Sequence, residues 1–221
     1  MKDSVIVLSG GMDSVTMLHE YKERIALALT FDYGSNHGAR EIAMARRNCE
    51  LLGVEIMVIP LHPVFRNVHS SLLEGAQAIP EGHYAEENMK STVVPFRNGV
   101  MLSVACAIAE DRGLKHVMIA NHGGDHSIYP DCRPGFVSAM GRAMTEGTYA
   151  GVSVLAPYTD ITKADIARHG KAIGVDYALT WSCYKGGAKH CGKCGTCVER
   201  REAMCEAGIQ DPTDYEAEET C

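Results

Sequence analysis

The sequence has few aromatic residues, no long apolar run and no excess of positive charge. It contains one tryptophan and four phenylalanines, and no uninterrupted apolar run approaches the roughly 20 residues of a membrane-spanning helix. Its 21 Lys and Arg are outnumbered by 28 Asp and Glu, for a formal net charge of −7. Nucleic-acid-binding proteins are usually basic overall, so we expect no nucleic-acid partner and no membrane partner.

The N-terminal sequence also lacks the pattern of a signal peptide. MKDSVIVLSGGMDS has only five apolar residues before a polar glycine turn. We therefore expect a cytoplasmic protein, in which nine cysteines indicate metal or redox chemistry rather than disulfides.

Short apolar runs alternate with helical patterns along the chain. The runs are apolar on both faces, as in parallel strands that helices cover on both sides. We predict strands at residues 4–8, 25–31, 55–59, 116–120 and 152–155. The first helical pattern begins near Val15, and the second ends at Gly53. Three more cover residues 100–112, 136–144 and 163–173. This alternation predicts an α/β fold with a doubly wound, mostly parallel, five-stranded Rossmann-like sheet.

The first predicted strand ends in the turn SGGMDS, which begins at Ser9. Ligands of open α/β sheets bind beyond the C-terminal ends of strands, and a helix N-terminus attracts anions. Gly10 and Gly11 let the backbone approach an anion, while the hydroxyl of Ser14 can donate to it. Asp13 can hold magnesium or cap the helix. The turn has neither the lysine of GxxxxGK[ST] nor the spacing of GxGxxG. An ordinary turn capped by Asp13 or Ser9 is the alternative.

Four cysteines fall within fifteen residues near the C-terminus: Cys183, Cys191, Cys194 and Cys197. Four thiolates in a glycine-rich segment suit a tetrahedral zinc ion. A disulfide is disfavoured in the cytosol, a ferredoxin-type cluster lacks its fourth cysteine three residues on, and unpaired buried cysteines are the third alternative. We predict a structural zinc ion, for which the adjacent His190 is not needed.

The motifs together resemble a known enzyme family. SGGMDS is similar to the SGGxDS pyrophosphate-binding loop of the N-type ATP pyrophosphatases, the PP-loop superfamily. With VPFRN, YPDCR, TWSCY and the cysteine cluster, the chain resembles the 7-cyano-7-deazaguanine synthases of queuosine biosynthesis over residues 4–201. Where that family commonly has glycine, this chain has Phe96 and Ile128.

The resemblance implies an ATP-dependent ligase that joins 7-carboxy-7-deazaguanine and ammonia to give 7-cyano-7-deazaguanine. The carboxylate and then the amide would be adenylated by ATP bound with Mg²⁺. The chain has no room for a glutaminase domain, so we expect ammonia to come from solution. The exposed edges of an open sheet make a homodimer the expected assembly.

The resemblance also implies the site residues. Expected ATP contacts are Leu8, Ser9, Gly10, Gly11, Met12, Asp13, Ser14, Val15, Thr16, Met17, Leu18, Phe31, Asp32 and Tyr33. Expected catalytic residues are Ser9, Asp13, Ser14, Arg97 and Arg133, the two arginines being anion contacts or structural salt-bridge partners.

The loop around residues 122–131 offers further polar side chains. We expect Asp125 and Asp131 to be candidates for binding the guanine-like edge. His122 and His126 are expected in a solvated polar loop and not as metal ligands.

We assign residues 1–180 to an ATP-pyrophosphatase-type nucleotide-binding domain. Residues 181–221 form a zinc-binding segment with an acidic tail, packed on that domain, and we expect the tail itself to be poorly ordered. The alternatives are a PP-loop sulfurtransferase acting on tRNA, a PP-loop amidating enzyme with another acid substrate, and a non-catalytic nucleotide-binding zinc protein.

Overall fold

A computed structural model describes residues 2–76, 78–83 and 87–216, with the side chains of residues 87 and 88 omitted. Five parallel strands form one sheet in the order β3-β2-β1-β4-β5. Their bounds are Ser4–Val7 (β1), Ile25–Asp32 (β2), Glu55–Pro60 (β3), His116–Met118 (β4) and Ser153–Leu155 (β5). The predicted parallel α/β sheet is confirmed.

The helices of the described residues are Met12–Glu20 (α1), Gly38–Leu52 (α2), His62–Phe65 (α3), Arg97–Asp111 (α4), Pro134–Glu146 (α5), Lys163–Ala172 (α6) and Gly195–Glu206 (α7). All five predicted helices are present. Gly53 ends α2 in the left-handed conformation, with φ of 62°, as its glycine predicts. The short α3 and the whole of α7 were not predicted.

The order of the strands creates a crevice beside β1. The chain runs outward from β1 through β2 to β3, then returns to place β4 on the other side of β1. Such a reversal opens a space beyond the carboxyl ends of the two central strands, where open α/β sheets bind ligands. Successive residues of β1 face opposite layers: Val5 packs in the layer with Leu102, and Ile6 in the layer with Ile166.

By length and composition alone, the stretch Met89–Asp111 could cross a membrane. Its regular part, α4, packs against β1 and β4, and Leu102 and Ala105 are fully buried. An apolar core helix passes the same test, so this stretch is weak evidence for a membrane span.

The C-terminal segment packs on the sheet domain through a buried arginine, Arg200, which donates to Thr180 Oγ1 at 2.6 Å and to Tyr177 O at 2.9 Å. Arg200, on α7, has an exposed fraction of 0% and donates from Nε and Nη2 to the Asp211 carboxylate. Tyr215 donates its hydroxyl to the same carboxylate at 2.8 Å. The expectation of a poorly ordered tail is therefore wrong for residues 211–216, and residues 217–221 lie outside the described residues.

Candidate nucleotide site and metal centre

An open pocket lies at the carboxyl ends of β1 and β4. Ser9, Asp13, Arg97 and Tyr184 all line it. The predicted loop and one predicted arginine thus share one cavity at the crevice that the strand order creates.

The SGGMDS loop is held in place by α2. Gly10 has φ of 91°, and a Cβ at this position would collide with the backbone carbonyl of Glu41. Only glycine satisfies both constraints. The loop is also bonded internally, because Gly11 N donates to Ser9 Oγ at 3.1 Å and Ser14 Oγ donates to Gly11 O at 3.2 Å.

The loop leaves the start of α1 without a side-chain cap among the described residues. Gly11 is the N-cap residue itself, and the hydroxyl of Ser9 accepts from Gly11 rather than from the first turn of the helix. The alternative of a turn capped by Asp13 or Ser9 is therefore wrong. An uncapped helix N-terminus facing a pocket favours anion binding.

A lysine from another element supplies the charge that the loop lacks. Lys163, the first residue of α6, places Nζ 3.1 Å from Asp13 Oδ2 and 2.7 Å from Glu199 Oε2. Burial alone would lower the pKa of Lys163, but the two carboxylates raise it above its ordinary value. The ammonium group therefore stays charged beside the loop.

His122 completes this polar cluster. Its side chain is 1% exposed, and its Nδ1 accepts from Gly124 N while Asp125 Oδ2 accepts from His122 N. The expectation that His122 is solvated is wrong, because the turn folds back under the pocket. Asp125 lines the pocket, as its predicted role requires.

Asp13 has the donor chemistry of a magnesium ligand. Its Oδ1 is buried and has no hydrogen-bond partner among the described residues, while its Oδ2 faces Lys163. Carboxylate oxygen is the ligand that Mg²⁺ prefers. The loop therefore fits a magnesium ion bound together with the phosphates.

Phenol groups and a half-buried arginine form a further wall of the pocket. Arg97 Nη1 donates to the hydroxyl of Tyr33 at 2.8 Å, and its guanidinium lies 5.3 Å from the centre of that ring. The hydroxyls of Tyr129 and Tyr184 are 2.9 Å apart. A flat, polar-edged ligand fits such a wall because rings can stack on it and the guanidinium can bind an anion.

Two further titratable side chains line the pocket. His37 Nε2 is 3.7 Å from Glu41 Oε2 at the start of α2, and both residues line the pocket. Burial raises the pKa of Glu41 to about 8, against the opposing effect of Arg97. Burial and Arg97 together lower the pKa of His37 to about 3.

Several predicted site residues lie elsewhere. Arg133 is exposed and donates from Nε to His126 O at 3.0 Å. Asp131 accepts from Asn98 N at 2.8 Å and so caps the start of α4. Asp32 Oδ1 is 3.0 Å from His62 Nε2, and Phe31 and Tyr33 on either side of it line the pocket.

The predicted ATP contacts also differ in placement along α1. Leu8, Ser9, Gly11, Met12, Asp13 and Ser14 line the pocket. The later ones, Val15, Thr16, Met17 and Leu18, are buried within the fold. Thr16 Oγ1 donates to Met12 O and bonds to the hydroxyl of Tyr177, which is a structural role.

Phe96 occupies a backbone conformation that favours glycine. Its φ is 56°, and it is the N-cap of α4 directly before Arg97. The ring packs edge-on against Phe136 at 5.6 Å and covers Gly99, where a Cβ would collide with it. Phe96 therefore holds a left-handed backbone conformation that glycine would adopt at lower cost.

The four predicted metal ligands converge. The Sγ atoms of Cys183, Cys191, Cys194 and Cys197 all lie within 4.8 Å of one another, and all four residues are buried. Thiolates at about 2.3 Å from one ion lie about 3.8 Å apart in a tetrahedron. Cys191 Sγ and Cys197 Sγ are 4.0 Å apart, so the set fits zinc. His190 instead accepts from Ser182 N at 3.0 Å, which leaves it outside the ligand set.

The cysteine segment is tied directly to the SGGMDS loop. Trp181 N donates to Gly10 O at 3.0 Å, two residues before Cys183. Cys194 and Cys197 lie at the start of α7, the helix that carries Glu199 to Lys163. A metal bound by the cysteines would therefore fix two of the contacts that hold the loop and its lysine.

The comparisons with known proteins agree with this site. The family described as "Queuosine biosynthesis protein QueC" matches residues 3–208. The chain is 62% identical to the 7-cyano-7-deazaguanine synthase of Porphyromonas gingivalis over 215 residues, which cover 97% of the chain and 98% of that relative. It is 48% identical to the protein of the same name from Desulfotalea psychrophila, over 97% of the chain and 99% of that relative.

The chain belongs to the QueC family. The resemblance that the motifs predict is thus confirmed, and with it the prediction of an ATP-dependent enzyme of queuosine biosynthesis. The chain also shares its fold with a more distant protein. The structure of NMN synthetase from Francisella tularensis is similar with a TM-score of 0.52 at 15% identity, covering 95% of this chain and 78% of that one.

Several site residues of this QueC chain lie outside the predicted set: Lys163, Glu41 and His37 line the pocket, and Glu199 holds Lys163. One local signal could have found Lys163. Thr162 and Asp165 form a capping box, which places Lys163 at the first position of a helix that follows β5. A helix that follows a parallel strand begins at the carboxyl edge of the sheet, where the pocket lies.

Proposed function

We propose that the chain is an ATP-dependent C–N bond-forming ligase that converts 7-carboxy-7-deazaguanine and ammonia into 7-cyano-7-deazaguanine. The observation that carries this proposal is the 62% identity, over nearly the whole length of both chains, to a relative that bears the name of this synthase. The pocket supports it, because an anion-binding loop, a buried lysine and an arginine-lined wall meet in one cavity.

The reaction uses the same activation, transfer of AMP to an oxygen of the substrate, in two successive rounds. A carboxylate is a poor electrophile because its charge repels a nucleophile and its oxygens leave badly. Transfer of AMP to a carboxylate oxygen makes that oxygen part of a good leaving group, and ammonia displaces it to give the amide. Transfer of AMP to the amide oxygen then lets the second C–O bond break, which leaves the nitrile. ATP ends as AMP and pyrophosphate in both rounds.

The chain contributes mainly position and charge. The first-turn amides of α1 and the hydroxyls of Ser9 and Ser14 bind the departing pyrophosphate, and Lys163 offsets its charge. Asp13 would hold the magnesium ion, which neutralises phosphate charge when bound. Preorganised donors of this kind are each worth about 10²- to 10³-fold in rate. Arg97 binds the carboxylate of the acid substrate, and Phe31 and Tyr33 contact adenosine.

The test is product analysis with purified protein, ATP, Mg²⁺, ammonium and 7-carboxy-7-deazaguanine. We expect the mass of the nitrile, with two AMP and two pyrophosphate for each nitrile formed. ADP and phosphate as the nucleotide products would contradict the proposed activation. We expect no comparable turnover with glutamine as the sole nitrogen source, and equal turnover would contradict the use of free ammonia.

We further propose a homodimer located in the cytoplasm. The outer strands β3 and β5 end the sheet and leave edges for a partner copy, and four converging thiols that suit a metal ion favour a reducing compartment. The division at residue 180 is also a proposal: it separates the sheet domain from the cysteine segment that packs on it. Light scattering of the purified protein tests the dimer, and the mass of a single chain would contradict it.

A further inference from the structure

The first turn of α2 carries a carboxyl group to which the proposed function gives no role. The backbone carbonyl of Glu41 packs against Gly10, so its side chain enters the pocket directly beside the anion-binding loop. That side chain is 20% exposed, and the nearest ion-pair partner, His37 Nε2, is 3.7 Å from Oε2. A carboxyl group in this position is open to a ligand bound between the loop and Arg97.

The groups around Glu41 come from four parts of the fold. His37 immediately precedes α2, Tyr33 follows β2, Arg97 begins α4, and Tyr184 packs on the His37 ring at 5.3 Å. Arg97 attracts the ionised form of Glu41, yet burial outweighs it and raises the pKa of Glu41 to about 8. His37 stays neutral because burial lowers its pKa to about 3. Glu41 is therefore a side chain of the pocket that exchanges a proton near neutral pH.

The proposed function, on which this inference rests, requires proton removal from nitrogen in both rounds. Ammonia brings three hydrogens and the amide keeps two, so one proton leaves as the C–N bond forms and the C–O bond to AMP breaks. Both amide hydrogens leave in the second round. One leaves as the amide oxygen takes AMP, and the other as the C≡N bond forms and the second C–O bond to AMP breaks.

We propose that Glu41 is the general base that accepts these protons from the reacting nitrogen. The carbon that carries the leaving AMP must lie where the loop meets the substrate, because the loop holds the phosphates. The backbone of Glu41 packs against the loop at Gly10, which brings its side chain close to that carbon, while the open mouth of the pocket lets the proton pass on to water.

The experiment compares Glu41→Gln with Glu50→Gln, the same change at an exposed position of the same helix. Pyrophosphate release with 7-carboxy-7-deazaguanine and no ammonia reports the transfer of AMP alone. Nitrile formation from the corresponding amide reports nitrogen deprotonation. We expect Glu41→Gln to keep the rate of pyrophosphate release within about twofold and to lower the rate of nitrile formation about 100-fold or more. Glu50→Gln should match the wild type in both rates.

The other outcomes overturn the proposal in distinguishable ways. Nitrile formation by Glu41→Gln at the wild-type rate would exclude Glu41 as the base. An equal loss of rate in both assays would also exclude it, and would mean that Glu41 holds the loop or the substrate in position. A wild-type protein that makes no nitrile from the amide defeats the proposed function itself.

A second measurement uses only the wild-type protein, with no substitution at Glu41. In the wild type, kcat/KM for the amide should rise with pH and level off above about 8, because the base acts in its ionised form. The amide assay contains no ammonia, so the titration of ammonium does not enter. A flat profile between pH 6 and 9 contradicts the proposal.

Discussion

Lys163 Nζ lies 3.1 Å from Asp13 Oδ2 and brings to the SGGMDS loop the lysine that the loop itself lacks. Phosphate-binding loops of the GxxxxGK[ST] type carry the lysine within the loop. Here the first residue of α6 supplies it from a distant part of the sequence, and Glu199 on α7 holds it in position at 2.7 Å. The anion site is therefore assembled from three helices rather than from one loop.

Replacing Lys163 should therefore remove much of the phosphate stabilisation. We expect Lys163→Met to lower the rate of pyrophosphate release by about 10²- to 10³-fold, as loss of one preorganised donor does. Lys171→Met, on the exposed face of the same helix, is the matched control and should retain the wild-type rate. A Lys163→Met protein with the wild-type rate would exclude Lys163 from the phosphate site.

Gly10→Ala should weaken ATP binding more than Gly53→Ala, the same change at another glycine with a left-handed backbone. Gly10 has φ of 91° and faces the Glu41 carbonyl, whereas Gly53 has φ of 62° and nothing within 4 Å of an added Cβ. Both changes incur the left-handed conformational cost of about 1–2 kcal/mol, but only the first displaces the loop. The sole tryptophan, Trp181, lines the pocket and reports ATP binding by its fluorescence. Equal affinities in the two variants would contradict this account of the loop.

Cys194→Ser should abolish stoichiometric zinc. Four thiolates complete the tetrahedral set, and apparent binding energies of structural zinc are about 10–16 kcal/mol. Because Trp181 N bonds to Gly10 O, we also expect weaker ATP binding and a lower thermal unfolding midpoint. Metal analysis by mass spectrometry checks the first expectation, with Cys205→Ser, an exposed position on α7, as the control. Unchanged zinc content in Cys194→Ser would refute the four-thiolate centre.

Asp211→Asn should destabilise the fold by about 3–5 kcal/mol at pH 7, because it leaves the fully buried Arg200 without its counter-ion. Burial alone would raise the pKa of Asp211, but the charge of Arg200 and hydrogen bonds from Arg200, Tyr215 and Thr213 lower it overall. A depressed folded-state pKa stabilises the protein above the unfolded value of about 3.9, and this stabilisation is lost as pH falls through the folded value.

Urea unfolding of the wild type and of Asp211→Asn at a series of pH values measures this effect. The difference between the two free energies of unfolding should be largest at pH 6–7 and should shrink below about pH 4. A difference that does not change with pH would mean that the Asp211 carboxylate charge contributes nothing to stability.

The sheet could be predicted from the sequence because its signals are local. Each strand is a short apolar run, and glycines such as Gly53 mark helix ends, so the observed bounds differ little from the predicted ones. Helix α7 has no such signal. Its buried face includes Arg200 and Cys197, whose burial depends on Asp211 and on the other three cysteines.

Site residues could be predicted best where they belong to one contiguous sequence motif. Ser9 to Ser14 and the four cysteines are contiguous patterns with a recognisable chemistry. Glu41 reaches the pocket through the topology of the sheet, and the capping box of α6 marks the helix start at Lys163 but not its contact with the loop. The expectation for Arg133 came from the family resemblance and that for His122 from its position in a polar stretch. Arg133 is exposed and outside the pocket lining, and His122 is buried.

The most direct test of the central claim follows the carboxylate oxygens. 7-Carboxy-7-deazaguanine labelled with ¹⁸O in both carboxylate positions is converted with unlabelled ATP, and AMP is analysed by mass spectrometry. We predict two AMP for each nitrile, each carrying one labelled oxygen on its phosphate. Label in inorganic phosphate or in water, with none in AMP, would contradict transfer of AMP to the acid and to the amide.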